Sequence, residues 1–165
     1  MKPFKDNSLS KELDSVIALI LENNDITRLL YHDTPDALSK PPLKVAEKRE
    51  LINKRLFKRR TSKILSNDSG SFISLRLNHF RKSENNPNNL THTLDVYIVC
   101  HDGVVDINEG QRDLALVESI SKVFYLQNVL GATKPDIVSI EDLIFDSNDF
   151  CGYVVSFGIV NEPQS

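Results

Sequence analysis

The stretch from Phe72 to Cys100, FISLRLNHFRKSENNPNNLTHTLDVYIVC, decides the fold of this chain. Both ends of the stretch alternate apolar residues with others at the period of two expected of strands. Between them, Arg81–Thr93 is polar and rich in asparagine, a composition typical of a loop. We therefore predict a long antiparallel hairpin whose polar loop projects from the fold. The loop supplies candidate partner contacts at Lys82, Asn86 and Asn89.

Helical periodicity flanks this hairpin on both sides. The first helix is predicted from apolar residues at 3.6-residue spacing, namely Leu9, Leu13, Val16, Ile17 and Ile20. A second strong helix over 111–127 places on one face Leu114, Val117, Ile120, Ser121 and Phe124. Asn23-Asn24 is expected to end the first helix, and Asp25 to cap a short one after it. A final strand pair is predicted at 137–144 and 151–160.

This order of elements predicts the fold class. Strands that cluster with one packed helix, instead of alternating with helices, favour an α+β fold. We expect a small, mostly antiparallel sheet flanked by helices, with a projecting hairpin loop. The 165 residues form a single domain in this interpretation, with a helical N-terminal region at 1–60 and a sheet-plus-helix core at 70–161. A polar helix with a thin apolar face is also predicted over 44–58.

The apolar runs and the cysteines indicate the cellular compartment of the protein. The longest strongly apolar run, Val16–Leu21, has six residues, whereas a membrane span needs about 20. The N-terminus has no apolar segment of the signal-peptide type. We expect a cytosolic protein without a membrane partner, or one released by lysis. Cys100 and Cys151 are then expected to be reduced and buried; a disulfide requires neighbouring strands and is disfavoured in the cytosol.

Charge is divided unevenly along the chain. Residues 44–63, KVAEKRELINKRLFKRRTSK, hold nine basic and two acidic residues, a net of +7. Residues 84–165 hold three basic and thirteen acidic residues, a net of −10, although the whole chain is only −3. Such a molecule can bind nucleic acid with one part, or bind copies of itself head to tail. The candidate contact residues in the basic segment are Lys54, Arg55, Lys58, Arg59 and Arg60.

No motif for catalysis accompanies this charge pattern. The sequence lacks the glycine-rich phosphate loops, the glycine-flanked serine and the paired-histidine zinc motif of common enzyme classes. We therefore expect no enzymatic activity, no catalytic residue, no cofactor and no metal. Two alternatives stay open. His101, Asp102 and Asp106 could hold a hydrolytic metal, and segment 44–63 could bind nucleic acid, although Phe57 is its one stacking residue.

Six phrases follow one another along the chain: ENNDITRLLYHDTPDALSKPPL (Glu22–Leu43), KRLFKRR (Lys54–Arg60), GSFISLRLNHFRKSENNP (70–87), LDVYIVCH (94–101), GQRDLALVESISKVF (110–124) and GYVVSFGIVN (152–161). This series of phrases resembles tail terminator and related tail-completion proteins of the head–tail neck of tailed bacteriophages. One departure is Lys58-Arg59-Arg60, where the resemblance leads us to expect a more apolar stretch containing proline. The resemblance spans roughly residues 22–161.

The resemblance implies a structural virion protein located in the tail or neck and assembled in the host cytoplasm. A different interaction protein, such as a head-completion factor or an assembly chaperone, is a further alternative. Tail terminators form a ring, commonly a hexamer, at the head-proximal end of the tail tube. The implied partners are copies of the chain, the tail tube protein and the neck or connector proteins, with DNA passing through the lumen without specific binding. A closed ring needs two different patches that meet on neighbours, which a basic segment and an acidic half can provide. We predict that the acidic half contributes to the lumen, because a basic wall would retain DNA.

Overall fold

The structure is a computed structural model that describes residues 8–58, 69–82, 84, 90–126, 135–147 and 149–161. Its helices are α1 (Ser8–Glu22), α2 (Asn24–Tyr31), α3 (Val45–Leu51), α4 (Asp102–Val105) and α5 (Arg112–Leu126), with a 3-10 turn at Ala37–Ser39. Its strands are β1 (Leu56–Phe57), β2 (Ser71–Lys82), β3 (Leu90–His101), β4 (Asp106–Ile107), β5 (Gly110–Gln111), β6 (Asp136–Asp142) and β7 (Phe150–Asn161). The α+β class is confirmed.

Among the described residues, five strands form the main sheet in the order β1-β2-β3-β7-β6, and β4 pairs with β5 separately. Strand β1 runs parallel to β2, and the other neighbours in the main sheet are antiparallel. The predicted hairpin is confirmed as β2 and β3, which pair from Ser71–Cys100 to Lys82–Leu90. The polar loop was predicted too long, because both strands continue into it. Backbone pairing satisfies donors and acceptors whatever the side chains, so polar residues can extend a hairpin.

The core lies between one face of the sheet and the helices. Strand β3 contributes four side chains with no exposed surface, as its alternation predicted: Leu94, Val96, Ile98 and Cys100. From the helical layer, α5 places the Phe124 ring 4.4 Å from the ring of Phe157 on β7, measured between centroids. Residues Val16, Ile17 and Ile20 of α1 are buried in the same cluster. The sheet is therefore covered mainly over its central strands.

Three local predictions about helices were wrong, and two of them concern α2 and α5. Asn23, and not Asp25, caps α2, because its side-chain oxygen accepts bonds from the backbone N–H groups of Asp25 and Ile26, both at 3.0 Å. Leu114 is 41% exposed, since the buried stripe of α5 instead runs through Leu116. A stripe at 3.6-residue periodicity can shift by one or two positions when a helix has apolar residues around much of its circumference.

The third is the helix predicted over 44–58, which is shorter than expected. Strand β1 takes its last residues, so the N-terminal region of the chain is not wholly helical. Helix α3 ends at Leu51, and Asn53 then adopts a left-handed backbone with φ of 63°. Asparagine tolerates that conformation better than most residues, which allows the chain to turn toward the sheet. The backbone N–H of Ile73 on β2 donates to the carbonyl of Arg55 at 2.8 Å, which fixes β1 at the edge.

The two cysteines lie directly opposite each other on β3 and β7. Both are free thiols; Cys100 is buried and Cys151 is half-buried. Burial, reinforced by the charge of Asp113, raises the pKa of Cys100 and raises that of Cys151 to about 12. The predicted placement of both cysteines in strands is confirmed. The predicted burial is confirmed for Cys100 and is only partial for Cys151, and the reduced state of both stays a prediction.

Candidate interaction surfaces

The two edges of the main sheet carry charges of opposite sign. Strand β6 forms one edge and bears three carboxylates and no cation, at Asp136, Glu141 and Asp142. We call Asp136–Asp142 the acidic edge. The other edge is formed by β1 and by the part of β2 that extends beyond it. We call it the basic edge, and its cations are Lys54, Arg55, Lys58, Arg76, Arg81 and Lys82.

The acidic edge also presents exposed aliphatic side chains. Ile137, Val138 and Ile140 are 46%, 63% and 48% exposed. Ile144, just after the strand, is 96% exposed. Among the described residues, β6 pairs with no strand other than β7, so its outer row of backbone groups is available. An edge of this kind accepts an additional strand readily, which natural proteins prevent or exploit.

The predicted cations near β1 are partly engaged within the chain. The guanidinium of Arg55 contacts the carboxylate of Asp33 at 2.9 Å and lies 5.1 Å from the centroid of the Phe72 ring. Lys58 forms an ion pair with Asp14 of α1, and Lys54 lies 3.7 Å from Glu50. Each internal pair reduces the positive charge available to a phosphate backbone, so this geometry adds nothing in favour of nucleic-acid binding.

The remaining predicted contact residues are distributed differently. Lys82 is exposed at the far end of β2, opposite Leu90 in the register. Arg59, Arg60, Asn86 and Asn89 lie outside the described residues. The structure therefore brings Lys54, Arg55 and Lys58 to one edge and places Lys82 farther along the same edge.

In the alternative metal site, the histidine caps a helix. The Nδ1 atom of His101 accepts a hydrogen bond from the backbone N–H of Gly103 at 3.0 Å, which caps α4. Its ring lies edge-on to Phe150, with centroids 5.2 Å apart. Asp102 uses its backbone N–H to bond the carbonyl of Asp149 at 2.8 Å. Within the described ranges, no three His, Cys, Asp or Glu side chains converge as metal ligands would.

A buried arginine is the residue that sequence reasoning missed. Arg112, at the start of α5, has no exposed surface. Its guanidinium donates to four backbone carbonyls at 2.6–2.9 Å, those of Leu29, His32, Thr34 and Val104. Burial lowers the pKa of Arg112. The side chain therefore joins the end of α2, the loop after it and α4 to the start of α5. No local sequence motif predicts this role.

Comparison with known proteins adds a family. A model of the YomW family matches residues 23–159. The chain belongs to the YomW family. The match begins at Asn23, the cap of α2, and ends at Ile159 inside β7, so both edges of the sheet fall within the YomW region. Helix α1 lies before it.

The YomW family is phage-derived, so the chain is a phage protein. No curated protein and no solved structure matches it. In the part of the chain that the structure describes, every helix is too short or too polar to cross a membrane.

Proposed function

We propose that this YomW-family chain is a structural assembly protein of a phage virion, and that it acts as a tail terminator. In this role, copies form a ring at the head-proximal end of the tail tube, stop tube growth and present a surface to the neck proteins. The role needs contact surfaces and no catalytic group. The protein is assembled in the host cytoplasm and remains in the tail or neck.

The observation that carries the proposal is the opposite charge of the two sheet edges. A ring is closed by a heterologous interface, in which one patch of each copy meets a different patch of its neighbour. Two edges at opposite ends of one sheet support such an arrangement, because each copy can offer its acidic edge to one neighbour and its basic edge to the other. A pair of identical patches would instead give a two-fold dimer.

Two further observations support the phage setting. The family is of phage origin. The order of sequence phrases from Glu22 to Asn161 resembles that of tail terminators and tail-completion proteins. In the proposed ring, DNA passes through the lumen without specific contacts, and acidic residues of the C-terminal half favour that passage because they do not retain phosphates.

The proposal is tested by the length of tail tubes. We would delete the gene from its phage and measure the tubes in lysates by electron microscopy, with a plasmid copy as the control. A terminator predicts tubes of abnormal, variable length and few joined heads, both corrected by the plasmid. Tubes of normal length joined to heads would contradict the proposal. Purified protein that binds DNA with a steep salt dependence would favour a nucleic-acid module instead.

A further inference from the structure

We propose that neighbouring copies join by strand addition, with β6 of one copy pairing antiparallel to the outer half of β2 of the next. The inference rests on the proposed ring and names the surfaces that close it. Strand β6 forms one edge of the main sheet, and at the other edge the outer half of β2 extends past the short strand β1. Strand addition supplies main-chain hydrogen bonds for affinity, and the side chains then set register and partner.

Strand directions are compatible with this joint. Strand β2 is antiparallel to β3, β3 to β7 and β7 to β6, so β2 and β6 run in opposite directions. When the sheet of one copy continues into that of the next, β6 therefore meets β2 in an antiparallel arrangement. Among the described residues, β1 pairs with β2 at Ile73 and Ser74, so the neighbour's strand would lie beside the part of β2 that follows, from Arg76 to Lys82.

The charges on the two strands match in spacing. On β2, Arg76 and Arg81 are separated by five positions, and on β6 so are Asp136 and Glu141. An antiparallel register that places Glu141 opposite Arg76 therefore places Asp136 opposite Arg81. Each strand has one irregularity inside this interval, between Asn78 and Arg81 on β2 and between Ile137 and Ser139 on β6. One register thus forms both charge pairs.

All four charged residues also belong to the same face of the sheet. Arg76 pairs with Asp95 on β3, and Arg81 pairs with Thr91, four residues away and hence on the same side. On β6, Glu141 pairs with Val154 of β7, and Asp136 pairs with Gly158 of β7. Asp95 pairs with Ser156, which lies between those two partners and shares their face.

The exposure of these side chains in the single copy favours the same contact between β6 and β2. The four charged side chains are all exposed in the single copy. The contact would also cover Ile137, Val138 and Ile140, which nothing described in the chain buries. Opposite charges facing each other across strands stabilise pairing, and like charges oppose it.

The competing contact between two copies of β6 is disfavoured by charge. An antiparallel β6–β6 pair would bring Asp136 of one copy close to Glu141 of the other, with no cation on either strand. Repulsion of this kind selects against the two-fold dimer and leaves the basic edge as the complementary partner.

The test is a charge swap measured by analytical ultracentrifugation over a concentration series at low salt, alone and with tail tubes. Glu141→Arg and Arg76→Glu should each raise the concentration for half-association at least about tenfold, because like charges then face each other. The double variant E141R/R76E restores opposite charges between neighbours and should associate like the wild type. Glu109→Arg, an equal charge change at the exposed β4–β5 turn, is the matched control and should have no effect.

Four results would overturn the inference: wild type that stays a single copy both alone and on tubes, wild type that stops at a dimer, single variants that associate normally, or a folded double variant that stays dissociated. Circular dichroism melts confirm folding of every variant. If the single variants dissociate and the double variant associates again, while the deletion phage has tubes of normal length, the strand contact is supported and the terminator role is rejected. If deletion of the gene makes tube length abnormal but the charge swap leaves association unchanged, the terminator role is supported and this joint is rejected.

Discussion

Strands β3 and β6 have similar aliphatic content in opposite surroundings. In β3, Ile98 has no exposed surface because strands flank it on both sides and helices cover one face. In β6, Ile140 is 48% exposed because the strand forms an edge. The difference shows that β-branched residues fill the core in a central strand and stay exposed in an edge strand, where we propose that they contact a neighbouring copy.

The largest effect expected from this contrast is on stability. Ile98→Ala should lower the free energy of unfolding by about 2–5 kcal/mol, because it leaves a cavity in the core. Ile140→Ala should cost less than about 1 kcal/mol in the single copy, since the side chain already contacts water. Urea unfolding at low protein concentration compares the two. Equal losses would show that β6 is packed within one copy.

Buried and exposed arginines extend the comparison. Arg112→Met should lower the free energy of unfolding by about 2–3 kcal/mol, because carbonyls at the end of α2 lose their donor. Lysine at this position should not restore stability, since one ammonium cannot reproduce the fork of a guanidinium. Arg76→Met, at an exposed position, should change stability by less than about 0.5 kcal/mol. Thermal melts of the three variants test this ordering, and a harmless Arg112→Met would contradict it.

A smaller effect is expected at the margin of the core. Asn23→Ala removes the side-chain oxygen that caps α2 and should cost about 1 kcal/mol. Asn23→Asp retains the acceptor and should stay within a few tenths of a kcal/mol of the wild type. Chemical denaturation of both variants measures the difference. Equal destabilisation by the two substitutions would reject the capping role.

An effect confined to alkaline pH is expected at Cys151. The folded pKa of Cys151 is raised to about 12 by burial from 9.0, so the folded state retains the proton longer than the unfolded state. The stabilisation from this group is fully present below pH about 9 and is lost as pH rises toward 12. The variant Cys151→Ala should therefore lose less stability than the wild type between those values. Identical pH profiles would contradict the burial of the thiol.

Sequence patterns predicted what depends on local alternation. The buried face of β3 and the hairpin with β2 followed from residues that alternate along each strand. The short strand β1 could not be predicted, because two residues carry no periodicity and their pairing with Ile73 and Ser74 is a long-range contact. The four-carbonyl role of Arg112 likewise depends on segments that meet only after folding.

The charge split was visible in the sequence, but its placement was not. The composition of 44–63 and 84–165 gave the signs, whereas the order of strands puts β1 and β6 at opposite edges. The basic segment was also less available than its composition implied, since Arg55 and Lys58 pair with carboxylates of the same chain. Strand order is a tertiary property, so sequence periodicity alone does not specify it.

The most direct test of opposite-edge association is the solution mass of the wild-type protein by light scattering at low and high salt, with and without tail tubes. We predict a closed species of several copies at low salt or on tubes, which dissociates at high salt because exposed charges are screened. A single copy under every condition, with no binding to tubes, would contradict the account.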